Sequence, residues 1–257
     1  TRLEPPYVIA MVLIFVVATL FFGASARLLL PHLLASLVYV HNLVYGTGST
    51  VNVVAWSLEV EVQFYILAPL LALVFTIASV WLRRAFIIAA IAATITVHAF
   101  GVSQDARLSL TLLNYIQFFL LGFLLADLYL TEWRQAPAHE TAWDVVGVSA
   151  WIALVAVWVK EPRPLVLFPI LAAVVFCATF RGHLLGAAFR NRWITTIGGM
   201  CYTIYLLHYP VISAIGRRSV ALAADDGFAL HVLVQAAIVL PVLLVISVLY
   251  FVTIERP

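Results

Sequence analysis

The run from 228 to 253, FALHVLVQAAIVLPVLLVISVLYFVT, holds no acid, lysine or arginine. A helix crosses the hydrocarbon core of a bilayer with roughly 20 such residues, because there every backbone N–H and C=O must find its partner within the chain. Comparable runs fall near 7–22, 54–80, 84–100, 110–130, 143–159, 164–180 and 200–216, which predicts an all-α, polytopic integral membrane helix bundle of about eight transmembrane helices. The stretch 28–45, LLLPHLLASLVYVHNLVY, is interrupted by Pro31, His32, His41 and Asn42, and reads as interfacial or re-entrant, or as one further span.

Of the 257 residues, 65% are hydrophobic and 10% charged, against about a quarter charged in soluble domains, so the chain cannot dress a water-soluble surface. The net charge of +2 and the scattered arginines exclude a nucleic-acid partner. Cys177 and Cys201 have no CxxC spacing and read as buried free thiols. Arg2, Arg83, Arg84, Arg134, Arg181, Arg190, Arg192 and Arg256 fall on one side of the predicted spans. Arg27, Arg107, Lys160, Arg163, Arg217 and Arg218 form the smaller opposite set, which places both chain ends in the cytoplasm. No connection is long enough for a soluble domain, so residues 1–257 read as one membrane domain. TRLEPPY runs straight into an apolar segment without a signal-peptide cleavage pattern, as in a chain cut at its start.

Polar residues inside such runs are costly and mark candidate sites. In WSLEVEVQFY (56–65), Ser57, Glu61 and Tyr65 share one helical face, while Trp56, Glu59 and Gln63 lie on nearly the opposite one. Glu61 is expected to face inward and Glu59 to sit near the headgroups, where a helix start tolerates acids; Trp56 fits an interfacial anchor. In CYTIYLLHYP (201–210), Tyr202, Tyr205 and Tyr209 surround His208, and Pro210 frees a carbonyl about one turn earlier, which needs a partner. Asn114 and Gln117 are expected to tie helices together, Gly122 to allow close packing, and Asp127 to be wet. Arg217, Arg218, Asp225 and Asp226 read as a solvated loop. His32 and His41 lack further ligands at metal spacing, so no metal site is expected.

The segment Trp56, Ser57, Leu58, Glu61, Gln63, Phe64, Tyr65 and Pro69 resembles the W-S-L-x-x-E-x-Q-F-Y signature of the acyltransferase 3 family of bacterial integral-membrane acyltransferases, with Val62 where many members carry a second acid. Gly198, Tyr202, Tyr205, Leu206, His208 and Pro210 fit a second family segment, with Cys201 where serine is commoner. Phe118 to Gly122 resembles its phenylalanine-to-glycine element, Glu255 to Pro257 its closing E-x-P, and Arg2 the last arginine of its basic segment. The family usually has about ten spans of roughly 20 residues. Its first span carries a histidine treated as the catalytic base, so the resemblance implies a chain lacking its first two spans. It further implies transfer of an acyl group, often acetyl, from acyl-CoA as donor substrate, with no bound cofactor, to a hydroxyl of a cell-surface carbohydrate or similar acceptor at the bacterial inner membrane. Glu61 would be the catalytic carboxylate. Arg2 would serve the donor, and Trp56, Ser57, Gln63, Tyr65, Tyr205 and His208 would bind substrate. A solute or proton-coupled transporter, or an inactive membrane scaffold, stands as the alternative.

Overall fold

The structure, a computed structural model, describes residues 4–99, 107–133, 139–160, 164–220 and 227–256. Among these the helices are α1 (Glu4–Phe21), α2 (Ala26–Leu37), α3 (His41–Tyr45), α4 (Trp56–Leu71), α5 (Val80–Ala99), α6 (Leu112–Leu128), α7 (Thr141–Lys160), α8 (Pro164–Arg181), α9 (His183–Phe189), α10 (Arg192–Gly199), α11 (Cys201–Ser219) and α12 (Phe228–Tyr250). Helices occur at all the predicted positions. Among the described residues, five segments are long and apolar enough to cross a membrane, containing α1, α4, α5, α6 and α12, or up to six if the bent pair α8 and α9 counts as one span. Of the other two predicted spans, α7 covers 20 residues and α11 carries Tyr202, Thr203, Tyr205 and His208 along its length. The stretch 28–45 forms two short helices, α2 and α3, neither of spanning length.

The chain divides into two compact units: residues 1–59 with 196–257, and residues 60–195. In the first, Tyr7, Ala10 and Met11 of α1 pack with Leu33 of α2, Leu58 of α4, Leu206 and Leu207 of α11 and Tyr250 of α12. Each buried phenol meets a carbonyl. Tyr7 donates to Ser36 O at 3.0 Å and Tyr250 to Pro6 O at 2.5 Å. An unpaired hydroxyl in this core would lose its bonds to water with nothing to replace them.

In the second unit, Arg83 and Arg84 at the start of α5 converge on Asp127 at the end of α6. Arg83 Nε donates to Asp127 Oδ1 at 2.5 Å and Arg84 Nε to Asp127 Oδ2 at 2.8 Å. Arg84 also reaches Glu132 at 2.6 Å and the Thr131 hydroxyl at 2.8 Å. Asp127 is only 1% exposed, so the expectation of a wet acid is corrected: two guanidinium groups replace its water. Asn114 and Gln117 likewise differ from expectation, donating to Ser109 O and Asn114 O of their own segment rather than tying helices. A side chain at Gly122 would meet nothing within 4 Å, so close packing does not require it. The glycines that do matter are Gly147 and Gly182. A Cβ at Gly147 would collide with Leu185 and Ala178, and one at Gly182 would lie 2.5 Å from Asp144 Oδ1. Cys177 is half-buried and Cys201 exposed; both are free, so the expected burial fails at Cys201.

Gly182 marks the 89° bend between α8 and α9. The bend exposes the first N–H groups of α9, and Asp144 from α7 caps them, accepting from His183, Leu184 and Leu185 at 3.2, 3.1 and 2.9 Å. Asp144→Ala, or Gly182→Ala by displacing that carboxylate, is expected to lower Tm in detergent by about 3 °C. Asp127→Asn leaves two buried arginines facing one neutral amide and is expected to cost about 3 kcal/mol in reversible unfolding, more than Glu132→Gln at the exposed end of the network.

Candidate functional site

The site begins with a missing hydrogen. Pro210 has no N–H, so the carbonyl of Leu206, one turn earlier in α11, loses its helical donor. Asn52 supplies the replacement, donating from Nδ2 to Leu206 O at 2.9 Å while being 1% exposed. The sequence foretells that such a partner is needed. It does not single out Asn52, which lies 154 residues away. That bond fixes α11 beside the turn Val53–Ala55 that leads into α4.

Three sequence-predicted residues meet there. Tyr205 Oη lies 2.7 Å from Ser57 Oγ and 3.1 Å from the Val54 carbonyl, and Ser57 Oγ lies 3.4 Å from the same carbonyl. The two hydroxyls have two hydrogens for three contacts. Either Tyr205 donates to Val54 O and Ser57 to Tyr205, or Ser57 donates to Val54 O and Tyr205 to Ser57. In either state both hydrogens are used within the cluster and the hydroxyl oxygens keep lone pairs, so the pair can accept a hydrogen as it stands and can offer one by releasing an internal bond. His208, half-buried on the same helix, places Nδ1 2.6 Å from Tyr205 O. A carbonyl only accepts, so Nδ1 carries the hydrogen and the neutral ring keeps its lone pair at Nε2.

Glu59 is fully buried within the protein, and its Oε2 accepts from the backbone N–H of Asn42 at 2.8 Å. Asn42 Nδ2 in turn donates to Trp56 O at 2.8 Å, so α3 and the start of α4 are laced together by polar groups. Trp56 itself is half-buried. Glu255, matched in sequence only through the closing E-x-P, accepts from the Thr203 hydroxyl at 2.5 Å and ties the chain end to α11.

Glu61, Gln63 and Tyr65 belong to the second unit. Glu61, not Glu59, is the more exposed acid; it is half-buried, and Tyr65, 49% exposed, donates to its Oε1 at 3.2 Å. Gln63 has a structural task. Its Oε1 accepts from Leu112 N at 2.8 Å, capping α6 where Thr111 makes no side-chain cap. Stacking of Phe64 on Phe119, 4.1 Å between centroids and 17° between planes, holds the same contact. Arg2 lies outside the described residues, as do Asp225, Asp226 and the side chains of Arg217 and Arg218.

Among the described residues no group of three or more His, Cys, Asp or Glu side chains is arranged to hold a metal ion. A cavity of about 560 Å³ in the second unit is lined by Phe118, Gly122, Tyr129, Phe168, Phe176 and other apolar residues, and suits hydrocarbon rather than chemistry. The first unit thus offers two exchangeable hydroxyls and an imidazole lone pair, and the second offers a carboxylate with a phenol on it. Hydrogen-bond donors for a developing oxyanion and acceptors for a hydroxyl proton are what acyl transfer requires.

No curated protein and no solved structure matches the chain significantly. The acyltransferase 3 family, described as an acyltransferase domain, matches residues 1–252, nearly the whole sequence. The chain is a multi-pass membrane protein by its helices, and by that match it belongs to the acyltransferase 3 family.

Proposed function

We propose that this acyltransferase moves an acetyl group from acyl-CoA to a hydroxyl of a cell-surface carbohydrate or similar acceptor, in the bacterial inner membrane with both chain ends in the cytoplasm. The observation that carries this reading is the family match over residues 1–252. The side chains in the first unit agree with it, since Ser57, Tyr205 and His208 are chemically suited to a reacting hydroxyl and carbonyl.

In the proposed reaction the acceptor oxygen bonds to the thioester carbonyl carbon and gives up its proton. The carbon–sulfur bond breaks, and the coenzyme A thiolate leaves and is protonated. Tyr205 and Ser57 are proposed to bind substrate by giving up one of these internal bonds to it or by accepting at a hydroxyl oxygen, and His208 through Nε2. Trp56 supplies an aromatic wall. In the second unit, Glu61 is proposed as the catalytic carboxylate that orients a hydroxyl, with Tyr65 holding Oε1. Gln63 is assigned to substrate by the resemblance alone, since its oxygen is committed to Leu112 and its Nε2 is buried. Arg2 is assigned by sequence alone to the phosphates of the donor.

The test is transfer of label from acetyl-CoA to acceptor in membranes carrying the intact protein. Tyr205→Phe is expected to lower kcat by about 100-fold, the usual effect of removing one oriented donor. Glu61→Gln is expected to lose at least about 100-fold. Wild-type rates in Glu61→Gln would remove that residue from the chemistry. Passage of a solute with the thioester left intact would instead favour a transporter.

A further inference from the structure

The cavity of the second unit takes no part in the chemistry proposed above. Phe118, Gly122 and Ala126 line it from α6 at four-residue spacing, and Phe168, Ala172 and Phe176 line it from α8 at the same spacing, so two helix faces form its walls. Tyr129 and Phe180 continue these walls to the ends of the two helices. From Phe118 to Tyr129, and from Phe168 to Phe180, the walls run about 16 to 18 Å at 1.5 Å of rise per residue. Glycine weakens a helix, yet a Cβ at Gly122 would meet nothing within 4 Å, so what this residue supplies is depth. Gly122, Ala126 and Phe176 are exposed, and the space therefore opens outward, where the solvent of a membrane protein is hydrocarbon.

The two ends of the cavity differ in polarity. At one, Phe118 meets Phe168 edge to face, 6.0 Å between centroids and 81° between planes, so that end is apolar and bounded. At the other, Tyr129 lies 5.7 Å from Phe180, and charged residues gather beside them. Asp127 is held there by Arg83 and Arg84, and Arg181 directly follows Phe180 in the last turn of α8. Charges are costly in hydrocarbon, so this end lies at the depth of the lipid headgroups. Arg181 differs from the other two arginines in what it has to spare. Its guanidinium lies over the Trp143 ring at 5.3 Å, its side chain is 29% exposed, and it reaches Glu140 only at 3.8 Å, longer than a hydrogen bond. It keeps donors for an anion.

We propose that this cavity is a binding site for one acidic phospholipid, whose acyl chain lies between α6 and α8 with its methyl end toward Phe118 and Phe168, and whose phosphate is held by Arg181. The occupant follows from the change of character along the cavity. An apolar shaft that ends beside an available cation matches a molecule whose hydrocarbon chain ends at an anionic phosphate. The volume of about 560 Å³ falls within the roughly 300–1,000 Å³ of ligand sites and the walls are long and narrow, as one extended chain requires. A headgroup carrying its own ammonium would set a second cation beside Arg181, so a net negative headgroup is favoured. The site is separate from the acyl-transfer chemistry and does not depend on it.

The test uses the intact protein in phosphatidylcholine vesicles containing a trace of phosphatidylglycerol with a photoreactive diazirine at the end of one acyl chain. After irradiation the adducts are mapped by peptide mass spectrometry. Label is expected at residues 118–122 and 168–172, and unlabelled phosphatidylglycerol should displace it, whereas label on other exposed faces should not be displaced. Gly122→Leu, which fills the hollow, is expected to lower the displaceable label at least about 10-fold. Arg181→Gln, a change outside the cavity walls, should weaken displacement by phosphatidylglycerol about 10-fold, and Arg181→Lys, which keeps the charge, should recover most of it. Label at these residues that is no more displaceable than elsewhere, or that is unchanged in both Gly122→Leu and Arg181→Gln, would overturn the proposal. Displacement by palmitoyl-CoA but not by phosphatidylglycerol would overturn it in favour of a thioester chain. An unlabelled cavity in protein that cross-links to a second copy through α6 or α8 would overturn it in favour of a dimer contact.

Discussion

A backbone N–H or C=O left unpaired in hydrocarbon costs several kcal/mol, and the polar side chains of this protein are distributed as that cost requires. At four interruptions among the described residues, a side chain from elsewhere in the same unit supplies the lost partner. At Pro210 the orphaned Leu206 carbonyl is met by Asn52. At the bend between α8 and α9 the bare N–H groups are met by Asp144, and at the start of α3 the Asn42 N–H is met by Glu59. The start of α6 is met by Gln63. Residues that look like candidate chemistry in an apolar sequence are, in these cases, the means by which a broken helix survives.

This sorts the polar residues by what they have left to give. Asn52 and Asp144 direct their bonds to backbone groups, and Gln63 commits its oxygen. Asp127 is held by Arg83 and Arg84, an arrangement whose value lies in not leaving any one charge alone. Ser57, Tyr205 and His208 differ. The two hydroxyls share one carbonyl and can exchange donors, and His208 keeps a ring nitrogen unengaged. The unpaired atoms of Asn52, Glu59 and Gln63 are buried, whereas Ser57, Tyr205 and His208 are half-buried, and that access separates candidate chemistry from scaffolding.

The two acids of WSLEVEVQFY show how far helical periodicity carries. Their placement on different faces of α4 follows from the spacing. Which face is buried depends on what lies against it, and α3 with its exposed N–H groups is packed against Glu59, so the buried acid is the one the sequence assigns to the headgroups. The same limit applies to Asp127, whose position near a helix end suggests water but whose neighbours are two arginines more than forty residues earlier in the chain. His32 and His41, nine residues apart, come within 2.8 Å because the chain reverses at Tyr39.

The sequence by itself determined that the chain is helical and membrane-embedded, that Pro210 would need a partner, and that the WSL and YxxYLxH segments carry a family's signature. Those properties reside in composition, in local periodicity and in the absent hydrogen of proline, all of which act within a turn or two of chain. Only the tertiary structure decided that Asn52 is that partner, that Glu59 rather than Glu61 is buried, and that Ser57 meets Tyr205 across 148 residues. Polar groups in an apolar medium are paired by proximity in space, and helix packing, not sequence spacing, sets that proximity.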